Sequence, residues 1–319
     1  MRPRITCHVI SGPLGAGKTS AILNLLKSMP DAGDSAVIVN DFGRTGLDGE
    51  ILKSSMLDIE IQNIPGGCLC CSSMPDLHRA FEAVMKRPGL RRIIVEPSGL
   101  AIMPDLVAYL RRTCEALGLR RGRTFALLNP KRTREAHYKS LPFFTALIDH
   151  ADVLVANRID QCKAQELERF REWTARLNPP KLAVVETTYG RIPPELLADS
   201  GAEARPDGPA DPRFHPLHEH REHSGGFTAD ALPPVCETRF TECLRDWAES
   251  GLDGARILRF KAVLPTASGW RLFEIAEEAV QVRPMPGADS AKLDWISSAT
   301  IPESVVREAL RTCEATTVR

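Results

Sequence analysis

The sequence predicts an α/β domain built on a mostly parallel sheet with flanking helices, followed by a smaller α+β domain. Three observations carry this. Up to about residue 198, short β-branched runs alternate with amphipathic stretches, the pattern of βαβ units. Near the start, a short apolar run leads into a glycine-rich loop and then a helical pattern. From 199 to 226, Gly, Pro, Asp and His replace the periodic apolar residues, which marks a linker between domains at 1–198 and 227–319.

Each element has its own signal. Parallel strands buried on both faces read as short continuous apolar runs. Such runs occur at Cys7 to Ile10, Ala36 to Val39, Arg92 to Val95, Phe125 to Leu128, Val153 to Ala156 and Leu182 to Val185. Leu77, Ala80, Phe81, Val84 and Met85 share one face at helical spacing. In the second domain the pattern predicts a helix from Thr241 to Ser250 and strands at Arg256 to Val263 and Leu272 to Ile275. A last helix runs from Pro302 to Cys313, with the proline at a position that suits a helix start.

Composition narrows the function classes. The 319 residues carry 41 basic and 41 acidic side chains, so no overall field favours nucleic acid or an anionic membrane surface. No apolar stretch approaches the roughly 18 residues that would span a bilayer, and the chain opens on Met1-Arg2-Pro3-Arg4 and leads directly into a strand. A cytoplasmic protein is expected, and its nine cysteines are expected to be thiols in a reducing compartment.

The glycine-rich loop is Gly12-Pro13-Leu14-Gly15-Ala16-Gly17-Lys18-Thr19. It fits G-x-x-x-x-G-K-[ST], the phosphate loop of P-loop NTPases. Backbone N–H groups of Gly12, Gly15, Ala16, Gly17, Lys18, Thr19 and Ser20 are expected to converge on the phosphates, Lys18 to reach the β and γ oxygens, and the Thr19 hydroxyl to ligate Mg²⁺. After the strand Val153 to Ala156, Asn157-Arg158-Ile159-Asp160 is similar to the N-K-x-D guanine signature. The Asp160 carboxylate can accept from N1–H and the 2-amino group, a donor pair that adenine lacks, while Asn157 bonds the other base edge and braces the phosphate loop. Arg158 replaces the usual Lys and can stack by its planar guanidinium.

Glu96-Pro97-Ser98-Gly99 ends another strand. There Glu96 can hold Mg²⁺ through water or orient the attacking water, and the Gly99 N–H can bond the γ-phosphate. Asn40-Asp41-Phe42-Gly43 leads to Gly46-Leu47-Asp48-Gly49, a loop suited to close on Mg²⁺ and γ-phosphate, with Asp48 its candidate residue and Asp41 a second. Ordinary turn chemistry also accounts for Asp and Gly there.

Gly66-Gly67-Cys68-Leu69-Cys70-Cys71 crowds three thiols into four residues. Thiolates suit Zn²⁺ or Cu(I), and three leave one tetrahedral position open. A redox relay or simple packing are the alternatives. The other six cysteines are singly placed and read as buried thiols, with Cys114 also a candidate fourth ligand. His215, His218, His220 and His223 fall within nine residues of the linker, a density compatible with weak metal capture or with a solvated polar segment.

The phosphate loop, N-D-F-G, G-G-C-x-C-C, E-x-x-G and N-x-x-D, in this order, resemble the CobW family of metal-handling GTPases. The resemblance covers roughly the first 190 residues and, more loosely, the second domain. It implies a GTPase that carries a transition metal, often Zn²⁺ and in some members Co²⁺, to a client apo-metalloprotein or metal-insertion complex, and since no in-cis arginine finger can be identified from the sequence, its intrinsic turnover is expected to be slow. It assigns Lys18 and Thr19 to phosphate and Mg²⁺, Cys68, Cys70 and Cys71 to the carried metal, and Asn157 and Asp160 to guanine. A homodimer is compatible with it. The sequence departs from the family pattern at Asp41 in place of Glu, at Pro97, at Ile102-Met103-Pro104, and at Asn129 in place of Asp. A redox-sensing P-loop ATPase or kinase, and a nucleotide-binding metal buffer, are the rival functions.

Overall fold

A computed structural model describes residues 5–41, 59–65, 74–99, 101, 103–197, 223–276, 279–285, 287–288 and 290–315. These fall into two compact units, one running up to residue 197 and the other from 223.

The first unit holds a seven-stranded sheet. Its strands are β1 (Thr6–Ser11), β2 (Ser35–Asp41), β3 (Glu60–Pro65), β4 (Arg92–Glu96), β5 (Arg120–Leu128), β6 (Val153–Ala156) and β7 (Ala183–Glu186), in the order β3-β2-β4-β1-β5-β6-β7. Pairing is parallel from β2 through β4, β1, β5 and β6 to β7. All six strands read from sequence are therefore present, and β3 is an added edge strand. Its Glu60-Ile61-Gln62-Asn63 stretch alternates too weakly to stand out from a loop.

Helices cover the sheet. They are α1 (Lys18–Ser28), α2 (Met74–Val84), α3 (Met103–Leu117), α4 (Glu135–Ser140), α5 (Pro142–Asp149) and α6 (Ala164–Ala175). The face of α2 read from sequence buries Leu77, Ala80, Phe81 and Val84 in the main core, together with Leu106, Val107 and Leu110 of α3 and Phe170 and Trp173 of α6. Between β1 and β5 the register slips at Gly122 and Arg123. The ring of His8 fills this bulge: its Nδ1 accepts from the Arg123 N–H at 3.0 Å, and a Cβ on Gly122 would lie 2.5 Å from that nitrogen. Burial, with Arg92 and Arg123 nearby, lowers the His8 pKa from 6.5 to about 4.

The second unit is a five-stranded sheet of β8 (His223–Ala229), β9 (Ile257–Thr266), β10 (Gly269–Ala276), β11 (Ala279–Pro284) and β12 (Ala291–Ser297), ordered β11-β10-β9-β12-β8. Every neighbouring pair is antiparallel. Two helices, α7 (Glu237–Ser250) and α8 (Glu303–Thr312), bring Phe240, Leu244, Trp247, Val306 and Leu310 onto Phe260, Phe273, Leu293 and Trp295.

The stretch 199–226 expected as linker reaches too far. β8 begins at His223, because Gly225 and Gly226 are paired strand residues opposite Trp295 and Asp294. A Cβ on Gly225 would lie 2.2 Å from the Trp295 ring, so the glycine makes room for that indole. Glycine read as a breaker is here a packing device. Among the described residues, no helix is long and apolar enough to cross a membrane.

Candidate nucleotide site

The site forms where β1, β4 and β6 end, since parallel strands deliver their C-terminal loops to one edge of the sheet. Residues 12–17 leave β1 and turn into α1. Gly12, Gly15 and Gly17 all have positive φ, and Gly17 is the N-terminal cap of α1 at φ 93°. A Cβ on Gly17 would also stand 2.8 Å from Nδ2 of Asn157, so both conformation and space require glycine. No side chain caps α1, which leaves the helix N-terminus to an anion.

Lys18 is buried and folds back over its own loop, donating from Nζ to the carbonyls of Gly12 at 3.1 Å and Pro13 at 3.3 Å. Thr19 is buried on the first turn, and its Oγ1 donates to Oε1 of Glu96 at 2.9 Å. Ser20 follows on the same turn, half-buried. A hydroxyl and a carboxylate facing each other at the phosphate end of a helix are hard oxygen donors, and this pair fits Mg²⁺. Gly99 lies against the phosphate loop, where a Cβ would come within 2.6 Å of the Leu14 nitrogen. That close approach seats the E-x-x-G segment directly on the loop.

Asn157, at the end of β6, is the brace. Its Nδ2 donates to the Ala16 carbonyl at 2.8 Å, and its Oδ1 accepts from the Gly190 N–H at 2.8 Å. The partners dictate which way the amide points, since a carbonyl must receive the NH₂ and an N–H must meet the oxygen. Arg158 has φ 62° and donates from its guanidinium to the Gly15 carbonyl at 2.8 Å. It therefore ties the turn after β6 to the phosphate loop. Asp160 sits exposed on the short 3₁₀ turn Ile159–Gln161 directly after it.

The turn from Thr187 to Gly190 after β7 carries no motif of its own in the sequence. Gly190 anchors Asn157, and the Tyr189 carbonyl accepts from Asn24 of α1 at 2.5 Å, so the turn bridges α1 and β6. Its signal was a Thr-Thr-Tyr-Gly run at the carboxyl end of the last parallel strand, where ligand-facing loops gather. Asn40 opens the segment expected to act as the switch. It is buried, donates to the Ile64 carbonyl at 3.2 Å and accepts from the Ser98 N–H at 3.4 Å.

Asp48, Cys68, Cys70, Cys71, His215, His218 and His220 lie outside the described residues, and the side chain of Asp41 does too. His223 stands on β8 with Nδ1 3.0 Å from the Thr300 hydroxyl. Cys114 is buried in the core against Cys7. Among the described residues, no group of three His, Cys, Asp or Glu could hold a metal ion.

Residues 6–185 match the family model described as CobW/HypB/UreG, nucleotide-binding domain. A protein of Pseudomonas aeruginosa named zinc chaperone CobW is 31% identical over 297 residues, covering 82% of this chain and 77% of that protein. Zinc chaperone YeiR of Escherichia coli is 27% identical over 190 residues, covering 60% of this chain and 57% of its own length. Among solved structures, Zn(II)-bound YjiA GTPase from E. coli is similar with 17% identity and a TM-score of 0.41, over 99% of this chain and 100% of that one.

Proposed function

The chain belongs to the CobW/HypB/UreG family, and from that premise we propose that it is a GTPase that loads a transition metal and releases it to a client metalloprotein in step with nucleotide hydrolysis. The observation that supports nucleotide chemistry best is the convergence of Lys18, Thr19, Glu96 and Asn157 on one loop, through contacts of 2.8 to 3.3 Å.

The phosphates take the N–H groups of Gly12 and of residues 15–20 at the start of α1. Lys18 then exchanges its two carbonyl contacts for β and γ oxygens. Thr19 and Glu96 are the residues that would hold Mg²⁺, Thr19 directly and Glu96 through water, and the ion supplies charge neutralisation at the phosphates. Asn157 has one amide hydrogen beyond its bond to Ala16 for the base edge, and Asp160 selects guanine. The Gly99 N–H bonds the γ-phosphate, and Asp48 acts in the loop from Asn40 to Gly49 that closes there.

The cargo is bound by the thiolates of Cys68, Cys70 and Cys71. Relatives named zinc chaperones favour Zn²⁺, with Co²⁺ the alternative. The thiol segment lies in sequence between the closing loop and Glu96, so GTP and GDP set different metal affinities, and by linkage metal alters nucleotide affinity equally. The protein acts in the cytoplasm, alone or as a homodimer, on a client apo-metalloprotein or a metal-insertion complex.

Titration of Zn²⁺ and Co²⁺ into the GDP form and into the form with a non-hydrolysable GTP analogue tests this, using wild type and the triple Cys68→Ser, Cys70→Ser, Cys71→Ser variant. Wild type should differ between the two nucleotide states, and the variant should lose tight metal binding in both. Equal metal affinity in both states would remove the switch. Full metal binding by the variant would remove the thiolate site.

A further inference from the structure

We propose that the Ser98 hydroxyl is a ligand for the water molecule that attacks the γ-phosphorus of the bound nucleotide. The inference rests on the GTPase reading above and names a residue that reading did not use. Ser98 is 6% exposed, and its Oγ has no hydrogen-bond partner among the described residues. The backbone around it is nevertheless held: its N–H donates to Oδ1 of Asn40 at 3.4 Å, and its carbonyl accepts from the Ala101 N–H at 3.1 Å. Asn40 is itself anchored to the Ile64 carbonyl at 3.2 Å.

The neighbours place this hydroxyl at the reacting end of the nucleotide. Two residues before it, Glu96 accepts from Thr19; one residue after it, Gly99 abuts the Leu14 backbone of the phosphate loop. Ser98 thus sits on a short tether between the Mg²⁺ pair and the loop. A buried hydroxyl without a partner is destabilising, and alanine would fill nearly the same volume without that cost. Unpaired buried groups in folded proteins call for an explanation, and a ligand present only in the loaded state supplies one.

Water suits this position better than a phosphate oxygen. Phosphate oxygens only accept, and the loop N–H groups and Lys18 already serve them. A hydroxyl that accepts one water proton turns the water lone pair toward phosphorus. The water oxygen then bonds the γ-phosphorus, the bond from phosphorus to the β–γ bridging oxygen breaks, and GDP leaves with that electron pair. One water proton passes to a phosphoryl oxygen and the other stays on the attacking oxygen, so the products are GDP and dihydrogen phosphate.

Ser98→Ala in the full chain tests the assignment against wild type. The readouts are single-turnover and steady-state GTP hydrolysis, affinity for a non-hydrolysable GTP analogue, and the melting temperature of the nucleotide-free protein. Loss of one hydrogen bond made only in the transition state should lower kcat about tenfold, with KM and analogue affinity within about twofold. Removing the orphan should raise the nucleotide-free melting temperature by about 2–4 °C. A lower melting temperature with unchanged kcat would make Ser98 a structural residue and overturn the proposal. Weaker analogue binding with unchanged kcat would overturn it too, by placing the hydroxyl on a phosphate oxygen. Wild type that turns over GTP while Ser98→Ala matches it in every readout refutes the water ligand alone. Wild type with no GTP turnover refutes the GTPase reading, and the proposal with it.

Discussion

Removing the side chain of Asn157 should separate the base-side turn from the phosphate loop, and the structure sets the size of the effect. Asn157 is 2% exposed and makes two bonds of 2.8 Å, one to the Ala16 carbonyl and one from the Gly190 N–H. Asn157→Ala leaves both backbone groups buried without a partner, at roughly 1–2 kcal/mol each once water enters the space, or about 2–4 kcal/mol together. Asn157→Asp separates the two bonds. Its carboxylate still accepts from Gly190 but presents oxygen to the Ala16 carbonyl and buries a charge. At neutral pH it should therefore be less stable than Asn157→Ala. Burial raises the new carboxyl's folded pKa, so its protonated form, able to donate to Ala16, is favoured at low pH, and the defect relative to Asn157→Ala should shrink as pH falls. Urea unfolding of the nucleotide-free proteins measures the stabilities, and GDP titration should show at least a tenfold loss of affinity, equivalent to about 1.4 kcal/mol of loop order. If Asn157→Asp matched wild type at neutral pH, the amide would not be donating to Ala16 and the brace would be wrong.

Two further outcomes follow from named groups. His8 is neutral in the fold with a pKa lowered from 6.5 to about 4, so the folded chain binds fewer protons than the unfolded chain between those values. Its contribution is complete above the unfolded pKa and is lost as pH falls through the folded one, by roughly 3 kcal/mol. His8→Asn, which keeps an acceptor near the Arg123 N–H but cannot titrate, should flatten the urea midpoint over that window relative to wild type; parallel curves would clear His8 of the acid sensitivity. Asp160→Asn exchanges a double acceptor for an amide that can donate to the 2-oxo group of xanthine. GTP binding should weaken about a hundredfold while xanthosine triphosphate gains, and unchanged selectivity in competition assays would move base recognition elsewhere.

Much of this architecture could be read directly, for reasons that differ between elements. The strands at Ala36 and Val153 are buried on both faces, so their apolar runs are unbroken. The α2 face was visible because Leu77, Phe81 and Val84 repeat at helical spacing and all three are fully buried. β8 was hidden because Gly225 and Gly226 carry turn chemistry in isolation and acquire strand character only from Trp295 and Asp294 across the ladder. The 187–190 turn was hidden because its importance lies in a bond to Asn157, which no local pattern announces.

The sequence by itself determined the glycine-rich phosphate loop, the Asn157 to Asp160 turn and the strands that carry them, since glycine conformation, lysine reach and strand periodicity are properties of adjacent residues. Only the tertiary structure decided which of those residues meet. Thr19 meets Glu96 across 77 positions and Asn157 meets Ala16 across 141, so neither contact leaves a trace in neighbouring residues. Those pairings exist because parallel strands bring their carboxyl ends to one edge, where a hydrogen bond depends on distance in space alone.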